Sequence, residues 1–301
     1  MNMAPDLEAF SSSLARIVTE TATRTLRVQA RGGLGSTGVA WREEGIVVAS
    51  DRTIEREEGI EVGLPGGETC SADLVGRDPA TDVAVLRVPR KLAPIAWSGL
   101  DGVMVGHVVL AIARPGRSAR ALLGIVSARG EAWRTAAGGK IDAYVEPDLR
   151  QRPGFSGAVM TDGAGRALGI CSAGLARRQL LLLPASTISR VVDAIVTRGS
   201  VARGHLGIGA HPVQLPDDVA GVTGQRYALI VVALPADGPA RGSGLMLGDT
   251  ILGLDGQPTE DLAALHELLD EDRVGKTSTL RVLRAGKVID VAVAVGERPL
   301  R

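Results

Sequence analysis

Apolar residues in the first two thirds of the chain recur at two different spacings. In residues 6–24 they follow a helical repeat, which predicts one helix with Leu7, Phe10, Leu14, Ile17 and Val18 on its apolar face. After this segment come short apolar runs of β type, about 10–15 residues apart and separated by glycine and charged residues, which continue as far as 180–183. Such regular spacing is typical of an all-β barrel or sandwich.

The pattern changes at residue 184. Pro184 leads into a predicted helix that ends at Gly199, with Ile188, Val191, Val192, Ile195 and Val196 on one face. About 97 residues then follow with five apolar runs and a helix near Asp261–Leu269, for which Thr259 is the expected N-cap. We therefore predict an N-terminal helix (1–24), a β domain (25–199), a linker (200–203) and a second, α+β domain (204–301).

Composition excludes several classes of protein. Lys and Arg together equal Asp and Glu at 34 each, and aromatic residues make up only 2%, which argues against a nucleic-acid partner. Two cysteines 101 positions apart, Cys70 and Cys171, do not indicate a disulfide framework, and the four scattered histidines do not indicate a metal site. We therefore expect no metal and no cofactor.

The ends of the apolar runs bear on location. Asp6 and Glu8 precede the first basic residue, no apolar signal segment follows, and no run is long enough to span a membrane. The sequence thus predicts a cytoplasmic protein, and a periplasmic or secreted one only if a leader has been removed.

Two segments carry candidate chemistry. In Arg152–Ala158 a serine stands between glycines, an arrangement that exposes a hydroxyl and can direct the N–H groups of Gly154 and Ser156 at one point as an oxyanion hole. The same pattern also occurs in ordinary turns. In Asp78–Leu86 a carboxylate, Asp82, opens a strongly apolar strand, where we expect it to be partly buried.

Taken in order, these and other segments resemble the HtrA/Deg family of trypsin-like serine proteases. The resemblance runs over nearly the whole chain, through 35–39, 46–52, 78–86, 105–115, 124–128, 152–158, 203–208 and 247–256. It implies a mainly β fold: a trypsin-like pair of six-stranded antiparallel β-barrels followed by a PDZ domain.

The resemblance also implies roles for particular residues. Ser156 falls at the nucleophile and Asp82 at the triad carboxylate, but the histidine position is occupied by Arg52, which cannot accept a proton. Phe155 replaces the family's asparagine and puts bulk beside the nucleophile. Arg150 falls at the floor of the specificity pocket, although a solvated surface arginine is the alternative.

We expect Asp82 to pair with the guanidinium of Arg52, since a buried carboxylate needs a partner. The alternative is that Arg52 points to solvent while backbone N–H groups or water satisfy Asp82. In both cases Ser156 is expected to lack a proton acceptor.

In the second domain the resemblance implies a site for peptide C-termini. PDZ domains hold a terminal carboxylate with backbone N–H groups of a glycine-containing loop, here His205, Leu206, Gly207 and Ile208. Leu265, Leu268 and Leu269 line or underlie the groove, or are only core residues.

Three functional hypotheses follow. The first is a catalytically inactive HtrA-like protein that binds polypeptide C-termini or unfolded segments in quality control. The second is an active serine endopeptidase that uses Ser156. The third is an oligomeric, chaperone-like assembly, since the family resemblance implies a trimer formed through the N-terminal region.

Overall fold

The computed structural model describes residues 4–176, 179–269 and 273–298 and divides the chain into two compact units, 1–201 and 202–301. The outermost ends of the predicted first and last domains, residues 1–3 and 299–301, lie outside the described residues. Within each unit, apolar strands bury their side chains in cores of their own.

Unit 1 opens with one helix and a closed six-stranded barrel. The helix, α1, spans Ala4–Ala22, close to the predicted 6–24, and packs Ile17 and Ala22 against strand residues Leu110 and Ile112. The barrel strands follow the order β1-β2-β3-β6-β5-β4. Their bounds are β1 Thr25–Gln29, β2 Ser36–Arg42, β3 Ile46–Ser50, β4 Ile60–Gly63, β5 Thr69–Asp78 and β6 Val83–Arg87.

The rest of unit 1 is a second, barrel-like sheet and a helix. The sheet has the order β11-β8-β7-β12-β13-β14, and its end strands β11 and β14 are in contact without a shared ladder. The bounds are β7 Val108–Ala113, β8 Arg120–Gly130, β9 Trp133–Arg134, β10 Lys140–Ile141, β11 Tyr144–Pro147, β12 Val159–Asp162, β13 Ala167–Ser172, β14 Leu181–Pro184 and α2 Ala185–Arg198. Helix α2 ends at Gly199 in the left-handed conformation, as the sequence predicted.

Unit 2 is a five-stranded antiparallel sheet with two short helices, in the order β16-β17-β18-β20-β21. Its elements are β15 Gly204–His205, β16 Gly209–Gln214, α3 Asp217–Thr223, β17 Tyr227–Ala233, β18 Thr250–Leu254, β19 Gln257–Pro258, α4 Leu262–Leu268, β20 Thr277–Arg284, β21 Lys287–Ala294 and β22 Gly296–Glu297. The prediction of a mainly β protein with barrel-like sheets followed by a second domain is confirmed.

The expected cap of α4 is wrong. The N-cap is Asp261, whose carboxylate accepts the N–H of Ala264 at 2.8 Å, whereas Thr259 is fully buried and its N–H pairs with the carbonyl of Leu252. Two residues separate the candidates, and only Asp261 has its side chain next to the free N–H groups of the first turn.

One buried ion pair closes the turn before β18 in unit 2. The Asp249 carboxylate is almost fully buried, accepts two hydrogen bonds from Arg284 at 2.8 and 2.7 Å and accepts the N–H of Met246 at 2.8 Å. Burial alone raises the pKa of Asp249, but these hydrogen bonds and the Arg284 charge outweigh it and hold the pKa below its ordinary value.

Replacing this carboxylate therefore tests what holds unit 2 together. Asp249→Ala is expected to lose about 3 kcal/mol, because it leaves Arg284 and the N–H of Met246 without their acceptor. Because the folded pKa is depressed, the contribution is present above about pH 4 and is lost as the pH falls through the folded pKa. Hydrogen exchange of β18 and β20 amides measures the loss. The exposed Asp290 supplies the control, and equal effects of Asp290→Ala and Asp249→Ala would contradict the prediction.

Candidate active site and peptide-binding loop

The serine loop is held between the two sheets of unit 1. Gly154 and Gly157 adopt positive φ angles of 87° and 86°, and a Cβ at Gly157 would lie 2.0 Å from the carbonyl oxygen of Thr37. The Thr37 hydroxyl, from strand β2, donates to the carbonyl of Gly154 at 2.7 Å. Strand β2 therefore fixes the loop that carries Ser156.

Ser156 is buried and uses its hydroxyl in two hydrogen bonds. The hydroxyl donates to the Ser50 hydroxyl at 2.8 Å and accepts the N–H of Ala173 at 3.3 Å. The expectation that Ser156 lacks an acceptor is wrong, because the last residue of β3 supplies one. A serine hydroxyl is nevertheless not a general base at neutral pH.

Asp82 lies at the junction of the same two sheets, directly before β6 and with a positive φ of 59°. Its carboxylate is 3% exposed and accepts hydrogen bonds from the hydroxyl of Ser50 at 2.9 and 2.8 Å, the hydroxyl of Ser172 at 2.5 Å and the N–H of Arg52 at 3.0 Å. Burial raises the pKa of the Asp82 carboxyl, against the opposing effect of these hydrogen bonds. The site therefore holds its carboxylate without any cationic side chain.

The predicted ion pair between Arg52 and Asp82 is wrong. Within the described residues no salt bridge joins them; instead the exposed Arg52 sends its guanidinium to the carbonyl of Ala173. The alternative, satisfaction by other donors, is the one observed, because two hydroxyls and one N–H already fill the acceptor positions of the carboxylate. An exposed guanidinium also keeps its hydration, which pairing inside the site would cost.

A continuous hydrogen-bonded series thus runs from Ser156 through Ser50 to Asp82. Sequence reasoning missed both Ser50 and Ser172. The available signal was a single polar residue closing each of two apolar strands, β3 and β13, where alternation turns the side chain toward the junction.

The oxyanion-hole residues have the expected free donors. Among the described residues, no hydrogen bond uses the N–H of Gly154 or of Ser156. Phe155 is buried in the core with Ala158 and Met160, so its ring does not crowd the hydroxyl as expected. Arg150 is exposed in the loop before Ser156, and its assignment to a specificity pocket stays a prediction.

Other chemistry finds no support in the described part of the chain. That part holds no group of three or more His, Cys, Asp or Glu side chains placed to bind a metal. Both cysteines are free, and burial raises the pKa of the Cys171 thiol to about 12. None of the helices described there is both long and apolar enough to cross a membrane.

In unit 2 the predicted carboxylate loop lies between β15 and β16. Gly207 has a φ of 66°, and a Cβ there would lie 2.5 Å from Gly238. Across the described residues no hydrogen bond engages the N–H groups of Leu206, Gly207 or Ile208. Three successive unpaired donors form a concave site suited to an anion.

The leucines of α4 are more buried than a groove wall would be. Leu265 and Leu269 are 3% and 6% exposed and belong to the same core as Leu206 and Ala210, whereas Leu268 is partly buried. They therefore underlie the surface between α4 and β16, which agrees with the alternative that they are core residues.

Comparison with known proteins agrees with this description of the two units. Residues 36–170 match a trypsin-like peptidase domain and residues 204–295 match a PDZ domain. A "Probable periplasmic serine endoprotease DegP-like" of Brucella suis biovar 1 (strain 1330) is 31% identical over 273 residues, 87% of this chain and 52% of that protein. One of Chlamydia trachomatis serovar D is 27% identical over 280 residues, 91% and 56%. The chain thus spans about half the length of the curated relatives it matches.

Solved structures give the same answer. The "HtrA-type protease AlgW with decapeptide" aligns with a TM-score of 0.76 and 26% identity, over 95% of this chain and 99% of that one. The fold and site define a trypsin-like serine protease domain joined to a PDZ domain. The chain belongs to the HtrA/DegP family. The expectation of a cytoplasmic location is contradicted by these relatives, which are named as periplasmic.

The hydrogen bonds at Asp82 lead to a stability prediction. Asp82→Ala is expected to lose about 3 kcal/mol, because three donors lose their acceptor and alanine is strained at positive φ. Asp82→Asn retains acceptors and tolerates this backbone, so we expect a loss nearer 1 kcal/mol. Urea unfolding followed by tryptophan fluorescence reads unit 1, which contains all three tryptophans.

The sign of the pH effect follows from the raised pKa. Protonation of Asp82 favours the folded state, so wild type gains stability relative to Asp82→Asn as the pH falls from about 7 to about 4. The exposed Asp73 provides the control. A pH-independent difference between wild type and Asp82→Asn would contradict the raised pKa.

Proposed function

We propose that the chain is an HtrA-type protein that binds polypeptide C-termini through its PDZ domain and lacks the histidine-dependent peptidase activity of a complete triad. The observation that carries the proposal is the hydrogen bond from Ser156 to Ser50. In this arrangement the candidate nucleophile faces another hydroxyl, and the residue at the position that the family resemblance gives to histidine is Arg52.

The chemical consequence is large. A serine hydroxyl attacks an amide only when a base removes its proton in the transition state. Loss of the base from a serine protease lowers turnover by about a millionfold. An arginine is protonated at all physiological pH values and does not replace an imidazole.

The PDZ role is supported by the loop and the sheet edge together. The N–H groups of Leu206, Gly207 and Ile208 are free to receive a carboxylate, and β16 beside them is the terminal strand of its sheet. Addition of a peptide strand to such an edge is the PDZ mode of binding. Two similar structures are described as AlgW with a decapeptide and with a tripeptide.

Carboxylate dependence tests this role. A fluorescent peptide that ends in an apolar residue with a free carboxylate is expected to bind, and the same peptide with a C-terminal amide at least about tenfold more weakly, because the loop then loses its anion. Fluorescence anisotropy with the full chain measures both affinities. Equal affinities would show that the loop does not hold the terminus.

A serine endopeptidase is the second candidate, and two observations favour it. The relatives are named as serine endoproteases. The series from Ser156 through Ser50 to Asp82 also offers a route for a proton: Ser156 passes its proton to Ser50 as its oxygen attacks the carbonyl carbon, while Ser50 passes its own to Asp82. As the C–N bond breaks, the proton returns by the same path to the leaving amine. A carboxyl with a raised pKa is a stronger base for this purpose than an ordinary aspartate.

A set of four proteins separates the two candidates. We expect wild type and Ser156→Ala to be equally inert toward a fluorogenic peptide and a serine-directed phosphonate. Arg52→His supplies an imidazole and is expected to raise phosphonate labelling by about a hundredfold or more. If wild type instead reacts and both Ser156→Ala and Ser50→Ala abolish the reaction, the second candidate is correct and the first is wrong.

The remaining proposals rest on relatives and on α1. Periplasmic location is proposed from the names of the relatives. Self-association, with a chaperone-like role as a third candidate, is supported by the exposure of Leu7 and Phe10 on α1, at 68% and 42%.

A further inference from the structure

The terminal strand of the unit 2 sheet has one open edge. Strand β16 pairs with β17 on one side, and among the described residues no strand pairs with its other side. Helix α4 lies near this strand. Only every second residue of β16 presents its N–H and C=O groups to the open edge, since successive residues of a strand point to opposite sides.

The hydrogen bonds of β17 show which residues these are. The N–H of Val231 donates to the carbonyl of Asp249 at 2.8 Å, and its carbonyl accepts the N–H of Gly248 at 2.9 Å, so Val231 points toward β18. Its neighbour Ile230 therefore points toward β16, where it stands opposite His211. It follows that His211 faces β17.

Ala210 and Pro212, on either side of His211, therefore face the open edge. A second contact supports this alternation, because the N–H of Leu215 donates to the carbonyl of Arg226 at 2.8 Å and odd-numbered residues thus face β17. The register shift between β16 and β17 leaves the alternation intact, since the extra residue, Val232, belongs to β17. Proline is tolerated in a strand where its nitrogen faces outward.

We propose that Pro212 sets the length of peptide that unit 2 recognises, limiting the main-chain pairing to about the last four residues of a C-terminus. This inference rests on the proposed binding of C-termini at the loop 206–208. From that loop the open edge offers the N–H and C=O of Ala210 and then, two residues on, only the C=O of Pro212.

The physical reason is the loss of a donor where a peptide would continue the ladder. The peptide carbonyl opposite Pro212 has no N–H to bind, and the proline ring occupies the space in which that hydrogen bond would form. A carbonyl that loses its water without a new partner opposes association. Residues farther from the terminus therefore add little, and selectivity depends on the carboxylate and the side chains next to it.

A length series tests the proposal. Peptides with a common C-terminal sequence and three to eight residues are titrated against the full chain, with C-terminal amides as the reference. For wild type we expect the affinity to rise up to about four residues and then to level off. Pro212→Ala restores the N–H and is expected to bind the longest peptides about three- to tenfold more tightly, with the tripeptide unchanged.

A matched variant controls for the removal of a proline as such. Pro216 lies outside β16, at the N-cap of α3, so Pro216→Ala is expected to leave affinity unchanged at every length. The unchanged tripeptide affinity also reports that Pro212→Ala is folded.

The outcomes separate two kinds of failure. If no peptide with a free carboxylate binds better than its amide, the proposed function is wrong. If carboxylate-dependent binding is present, but wild-type affinity keeps rising with length or Pro212→Ala behaves as wild type, the role of Pro212 is overturned and the binding of C-termini stands.

Discussion

Everything at the candidate active site depends on keeping one buried carboxylate satisfied. Asp82 stands where the barrel meets the second sheet, and its hydrogen bonds come from both: Ser50 ends β3 of the barrel, and Ser172 ends β13 of the second sheet. A Cβ at Gly174 would lie 2.6 Å from the carboxyl carbon, so the backbone on this side also packs directly on the charge. Such an arrangement is all-or-nothing, because removing one donor leaves a buried acceptor that water does not reach.

The same constraint explains why Ser156 points where it does. Ser50 gives its proton to Asp82, which leaves its oxygen as an acceptor, and Ser156 is the hydroxyl within reach. The junction that in a complete triad holds an imidazole is therefore closed by two small hydroxyls. Catalytic competence and structural integrity draw on the same few atoms, and a substitution that restores a base must also preserve the hydrogen bonds of Asp82.

The sequence predicted the architecture well because the architecture is written in periodicity. Short apolar runs gave the barrel-like sheets, and the pattern ending at Gly199 gave α2. Side-chain partners were harder, because they depend on where two distant strands meet. Charge complementarity suggested a pair between Arg52 and Asp82, yet Ser172, 90 positions from Asp82 in sequence, supplies one of the bonds that make that pair unnecessary. The role of Pro212 likewise needed the register of β16 against β17, which no local pattern reveals.

Thr37 joins three segments with one hydroxyl group. Its oxygen donates to the carbonyl of Gly154 and accepts the N–H of Arg114 at 2.9 Å, at the end of strand β7. Any reshaping of the serine loop breaks the first of these bonds and leaves a buried carbonyl unpaired, at a cost of about 2 kcal/mol. At that cost a rearranged loop makes up only a few per cent of molecules at equilibrium. The loop is thus a biased two-state element, and any partner that reshapes it must bind the minor form preferentially.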